Sequence, residues 1–247
     1  MKQLKFLATT VAASMALFFF SCNNDGEKKE DATTTTPAAA ETEATKPMEP
    51  AAAAKPGNFV IILAKVANYA KWLPAYEGDD SARIASGLTN YVLGRGLGND
   101  SNTVLVALRM ADTAKAKAFI SSPGLKQKMK SGGVIGAPLS VNFVEPVMQD
   151  STANASTRVI MTHKVKDWDV WKKEFDSHKQ TRIDAGLADR VVGHSVNDTH
   201  MVTLVFAIND MAKAKAFMAS KDLKDKMAAA GVVGPPTAFY YTVAKKY

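Results

Sequence analysis

The chain has 247 residues and a net charge of +7, a length for one or two domains. The basic balance favours anionic partners, but no Lys/Arg run is interleaved with aromatics, which argues against nucleic acid. Cys22 is the only cysteine, which excludes an internal disulfide.

Lys2 and Lys5 precede an apolar run, residues 6–20, and then small Ser21 and Cys22. This is the charged, apolar and small-residue order of a secretory signal. The run is short for a transmembrane helix, which needs ~20 residues. Cys22 placed here resembles the lipid-modified cysteine of bacterial lipoproteins, with Phe19 where the usual box has Leu. The loose box and the following NNDGEKKED resemble lipoproteins of the Bacteroidota. The resemblance implies lipidation at Cys22, the lipid bilayer as a partner, and a cell-envelope location, periplasmic or surface-facing. The alternative is a cleaved signal with an incidental cysteine. Residues 23–57 read as a disordered tether of Ala, Thr, Pro and Glu, with too little apolar surface to offset the entropy of ordering. From Cys22 to Lys55, four lysines face seven acids, so the rest of the chain is more basic than the total suggests.

The remainder reads as two copies, residues 58–147 and 157–247. KVANYAKWLPAYEGDDSARIASG (65–87) matches KVKDWDVWKKEFDSHKQTRIDAG (164–186). AKAKAF occurs at 114–119 and 212–217, and GVIGAP (133–138) matches GVVGPP (231–236). So long a period signals duplicated domains rather than a solenoid. In the first copy, residues 59–64 read as a strand. A helix opens at Ala67 or Asn68 and runs to Ser86, with Gly87 as its stop. Pro74 inside it predicts a kink or a late start. Strands follow at 91–97 and 103–109 around a hairpin at 98–102. Asp112 caps a helix through Phe119, and Ser122-Pro123 restarts it. Gly132-Gly133 end that helix before a last strand at 139–144. The second copy repeats the order. Its strands are 158–164, 190–196, 201–208 and 237–243, and its helices are capped by Asp167, Asp210 and Ser220.

Each copy is thus β-α-β-β-α-β, the ferredoxin-like order. Both helices of such a unit cover one face of its sheet. Yet strands such as Val104-Leu105-Val106-Ala107-Leu108 are apolar at successive positions, which implies burial on both faces. The bare sheet of one copy is the natural cover for the other. The fold class is α+β: two tandem ferredoxin-like repeats forming a pseudo-dimeric α+β barrel. Trp171, Phe175, Asp176, His178 and Arg182, with AKAF at 214–217 and GVVGPP, resemble the dimeric α+β barrel superfamily. The nearest resemblance is to proteins related to antibiotic biosynthesis monooxygenases. That superfamily also includes haem-degrading enzymes and muconolactone isomerase-like proteins, so the resemblance implies fold far more than function. It implies a barrel usually reached by homodimerisation, here fused in one chain and therefore monomeric.

Trp168, Trp171, Phe175, His178 and Arg182 fall at steps of 3, 4, 3 and 4 and share one helix face. The first copy has Tyr69, Trp72, Tyr76, Asp79 and Arg83 there. His178 and Arg182 are the candidate catalytic pair, able to hold an anionic or enolate-like substrate with His as acid or base. The alternative is that both cap the edge of the core. Asp79 and Arg83 suit an i,i+4 ion pair. His163, His194, Trp168 and Arg83 are candidate ligand-binding residues, the two histidines on strands that point into the barrel or its mouth. The simpler reading of each is structural, and the aromatic face is most simply core. His200 falls in the hairpin, exposed to solvent. Phe239, Tyr240 and Tyr241 alternate, so at least one enters the barrel. No metal-ligand spacing, Gly-rich phosphate loop or G-x-S-x-G elbow is present, and no cofactor or metal is expected. The reading is a lipid-anchored module for a small, partly apolar or anionic ligand. The alternatives are a cofactor-independent monooxygenase or isomerase, and a non-catalytic protein-interaction lipoprotein.

Overall fold

The computed structural model describes residues 57–247; the expected signal, Cys22 and all but the last residue of the tether lie outside the described residues. The first copy runs β1 (Phe59–Val66), α1 (Tyr69–Glu77), α2 (Asp80–Ala85), β2 (Leu88–Gly96), β3 (Thr103–Met110), α3 (Thr113–Ser121), α4 (Pro123–Ser131) and β4 (Val134–Gln149). The second runs β5 (Thr157–Val165), α5 (Trp168–Ser177), α6 (Lys179–Asp184), β6 (Leu187–Ser195), β7 (Asp198–Ile208), α7 (Met211–Ala219), α8 (Lys221–Ala229) and β8 (Val232–Lys246). Among the described residues no helix is long and apolar enough to cross a membrane.

Polar side chains start the helices. Asn68, Asp112, Ser122, Asp167, Asp210 and Ser220 each accept the backbone N–H three residues on, at 2.9–3.2 Å. Each satisfies a donor that the first helical turn leaves unpaired. The first long helix of each copy is broken in two, where the sequence suggested one. α1 passes through Pro74 and ends at Glu77; α5 ends at Ser177 without any proline. The break is therefore not the proline's doing. In both copies the last turn tightens to an i→i+3 bond, Asp79 N–H to the Tyr76 carbonyl and His178 N–H to the Phe175 carbonyl, both 3.3 Å.

The eight strands are antiparallel and close into a barrel in the order β1-β3-β2-β8-β5-β7-β6-β4. Each copy supplies four neighbours in the ferredoxin-like order, and β4 and β8 join the halves. This explains why both are far longer than expected. β4 pairs with β1 over most of its length and then with β6 from Val144 to Gln149. β8 pairs with β5 and then with β2 through Lys246. Gly136 and Gly234, which lie before the strands the sequence suggested, sit at φ 69 and 71 in bulges on these strands. Glycine permits the bulge without ending the pairing. The seams also depend on glycine. A Cβ on Gly94 would lie 2.3 Å from Tyr241, and one on Gly193 would lie 2.5 Å from the Glu145 carbonyl oxygen.

Three apolar cores result. One lies between the helices and sheet of each copy, around Trp72 and around Trp171. The third fills the barrel with Phe59, Ile61, Leu105, Ile160, Val205 and their neighbours. Phe239 and Tyr241 enter the barrel, while Tyr240 turns to the helices and its hydroxyl donates to the Met218 sulfur at 3.0 Å. The expected Asp79–Arg83 pair does not form. Asp79 stands just before α2, beyond the helix break, where its carboxylate pairs with Lys128 instead of capping the helix, while Arg83 pairs with Asp80 at 3.3 Å.

Candidate functional site

Each copy has a cleft between its helices and its sheet. The cleft of the first copy is a cavity of about 100 Å³ lined by Trp72, Tyr76, Asp79, Arg83 and Lys128 among others. The Asp79–Lys128 ion pair joins two of its walls, the start of α2 and the last turn of α4. In the second copy the matching cavity is about 80 Å³. His163 replaces Ala64, Glu174 replaces Ala75, and His178 replaces Asp79. Its lysine, Lys226, turns to Asp222 at 2.9 Å, so no ion pair joins these walls.

The strand pleat turns His163 to the helix side of β5, beside Met161 and Val165. It does not enter the barrel. It is 6% exposed and lies edge-on to Trp171, ring centroids 5.4 Å apart. Neither of its ring nitrogens has a hydrogen-bond partner in the structure. Burial pulls its pKa down to about 4, so the imidazole is neutral near pH 7 and offers one donor and one acceptor. Trp171 stacks on Phe175 at 5.0 Å, and both line the cavity.

His178 occupies the junction between α5 and α6, half-buried. Its Nδ1 lies 2.8 Å from the Glu174 carbonyl oxygen. A carbonyl only accepts, so Nδ1 carries the proton and Nε2 keeps its lone pair in the neutral ring. Arg182 is engaged at every nitrogen. Nε and Nη2 grip Asp189 at 2.8 and 2.7 Å, and Nη1 donates to the Phe175 carbonyl at 2.5 Å. Its guanidinium also lies 3.5 Å from the centre of the Phe175 ring.

The structure brings His163, His178 and Arg182 together and leaves the other candidates elsewhere. Trp168 and His194 meet edge-on at 4.7 Å; neither lines the cavity, although Trp168 packs against its wall residue Trp171 at 5.2 Å. His194 also faces the helix side rather than the barrel. Arg83 belongs to the other cleft, where its guanidinium covers Tyr76 at 4.0 Å. Sequence reasoning missed Glu174 and Lys226. A signal for Glu174 was available: an acid one turn before His178 where the first copy has Ala75. Among the described residues no group of three His, Cys, Asp or Glu is placed to hold a metal ion.

Solved structures share this fold at low identity. An anthrone oxidase-like protein aligns with TM-score 0.50 and 12% identity, covering 77% of this chain and 92% of that one. A candidate chlorite dismutase, TA0507, aligns with TM-score 0.51 and 12% identity, over 76% and 94% of the two chains. A candidate monooxygenase from Lactobacillus acidophilus NCFM gives 0.48 and 10%, over 77% and 95%. The first two likenesses show the dimeric α+β barrel fold alone. No family model and no curated protein matches the sequence.

Proposed function

We propose that the chain is a small-molecule-binding module whose ligand enters the helix–sheet cleft of the second copy. The supporting observation is His163: a buried imidazole lining a cavity, both nitrogens without a partner. Buried polar groups are nearly always paired, so a ligand atom is the natural partner. The walls are Trp171, Phe175, Phe206 and Phe217, with His178 and Lys226 among the lining side chains. These surroundings suit a small ligand with an apolar body and an acidic group. Arg182 then acts through Phe175 and Asp189 as a positioning residue, not as a catalytic group.

The cavity of about 80 Å³ suits a ligand of a few heavy atoms, smaller than the drug-sized ligands of sites of roughly 300–1,000 Å³.

The test uses the full chain. Propionate is titrated while tryptophan fluorescence is read, because Trp171 forms part of the wall. A saturable change is expected, and it should vanish in Ala230→Leu, which fills the cavity from α8's C-terminal end. No saturable change with propionate or acetate, or an unchanged response in Ala230→Leu, overturns the reading.

A catalytic reading has one observation in its favour: His178 keeps Nε2 free as a base. An isomerase or cofactor-independent oxygenase would use it to move a proton from carbon. His178→Gln should then stop deuterium exchange at the ligand's acidic C–H while binding persists. The lipid anchor at Cys22 and the envelope location complete the proposal. The mass of the mature chain tests the anchor, and Cys22→Ala should release the protein from membranes. A monomer is part of the same reading, supported by a barrel with no free strand edge. Co-purification of a protein partner without ligand binding would favour the interaction-protein alternative.

A further inference from the structure

Inside the barrel, on the opposite face of the sheet from the cleft, Arg158 on β5 and Arg190 on β6 are 2% and 7% exposed. A guanidinium keeps its proton in proteins. Burying that charge is strongly unfavourable unless it is paired. Among the described residues no Asp or Glu is as buried as these arginines. Asp189, adjacent to Arg190, is already gripped by Arg182. Asp150 accepts a hydrogen bond from Arg190 only through its backbone carbonyl, and its carboxylate acts on Arg190 through space without contact. Its carboxylate is solvent-exposed and turned to Thr152, accepting the backbone N–H at 2.7 Å and the hydroxyl at 2.5 Å.

The remaining groups also present donors. Arg158 Nε donates to the Ala155 carbonyl at 3.1 Å, but its Nη2 has no partner. The Tyr91 oxygen accepts from Arg190 Nη2 at 2.7 Å and from Gln149 Nε2 at 2.8 Å. Two accepted bonds leave its own proton free to donate. Tyr241 is 2% exposed, and burial pushes its phenol up to about 12 against the pull of Arg158. It therefore keeps its proton. Arg109 adds charge nearby, 4.5 Å from the Tyr91 ring centre. Phe59, Tyr91, Arg158, Arg190 and Tyr241 border a void of about 30 Å³, above the ~10–15 Å³ that one water needs. The first copy has Phe59 and Tyr91 where the second has Arg158 and Arg190. At these two positions one half brings a charge and the other an aromatic ring.

We propose that this void binds one small monovalent anion, of halide or formate size, held by Arg158 Nη2 and the hydroxyl protons of Tyr91 and Tyr241. The anion offsets one of the two buried positive charges of the barrel interior and links the two halves. The inference is independent of any ligand in the helix–sheet cleft.

The test takes the full chain, dialysed into sodium gluconate, and follows thermal unfolding in bromide, formate or gluconate at matched ionic strength. Bromide or formate should raise the midpoint saturably by a few degrees, whereas gluconate is too large to enter. A response to bromide alone marks a halide site, and one to formate alone marks a carboxylate site. Arg158→Met should remove the difference between salts. Coincident curves in all three salts overturn the proposal, as does an Arg158→Met protein that responds like the parent. If that variant does not fold, crystals of the parent soaked in bromide decide: an anomalous peak between Arg158 and Tyr91 supports the site, and an empty barrel refutes it.

Discussion

Asp189 on β6 receives two hydrogen bonds from Arg182, Nε at 2.8 Å and Nη2 at 2.7 Å, with both side chains under a tenth exposed. The first copy solves the same problem differently. Asn90 stands in place of Asp189, and the acid has moved to the helix as Asp80, where it meets Arg83 and Asn90. Removing one partner of a buried pair costs about 3–5 kcal/mol. Arg182→Met should lose that much in urea unfolding. Asp189→Asn should lose a similar amount, and adding Lys179→Asp, which copies Asp80, should recover part of it. A loss under about 1 kcal/mol in Arg182→Met, the surface-pair range, would show that the pair is not buried in solution.

His163 makes stability depend on pH. Its folded pKa is about 4, below the ordinary ~6.5. Between these values the unfolded chain binds a proton that the folded chain refuses. Stability therefore falls as pH drops from about 6.5 to about 4 and levels off below, by roughly 3 kcal/mol in total. His163→Leu should flatten that slope in urea titrations across this range. An unchanged slope would place the pH dependence on other groups.

Gly94 holds open the space for Tyr241 at the seam between β2 and β8. An added Cβ would lie 2.3 Å from the Tyr241 ring, which is fully buried and cannot swing away. Gly94→Ala should cost about 1–3 kcal/mol, the usual range for overpacking. Gly98→Ala is the control, since a Cβ there meets nothing within 4 Å although its φ of +58 carries a backbone cost. Thermal unfolding of both variants compares steric clash with backbone strain, and a larger loss at Gly98 would refute the clash.

Lys128 pairs with Asp79 across the first cleft, but its side chain is 58% exposed. Exposed pairs contribute about 0–1 kcal/mol. Lys128→Met should therefore barely change stability while opening this cleft to the same small acids proposed for the second. A new weak binding event, seen as a second phase in the fluorescence titration, is expected. An unaltered titration would mean that the ion pair does not control access.

Much of the fold was legible because it rests on local chemistry. Ser122-Pro123 marked a helix restart, since serine accepts the first free N–H and proline needs none. Unbroken apolar strands marked a sheet buried on both faces. Other features were hidden because they depend on partners distant in sequence. The extension of β4 past Val144 exists only because β6 supplies hydrogen bonds there. The helix break at His178 depends on a tightened last turn and on Arg182 reaching back to Phe175. His178 and Arg182 read as a matched pair on one face, yet their surroundings separate them. One retains a free ring nitrogen, and the other has every nitrogen engaged.

By itself the sequence determined the two β-α-β-β-α-β copies, the caps, and the aromatic faces that pack on each sheet. Periodicity and capping are properties of neighbours three or four residues apart, so one strand of text records them. Only the tertiary structure decided that the two sheets close edge to edge through β4 and β8. It also decided that His163 lies buried and unpaired in a cleft, and that Arg158 and Arg190 share the barrel without a buried acid. Burial and pairing are set by groups that the chain brings together from about 100 residues apart, as Arg190 and Tyr91 are, and no local pattern encodes them.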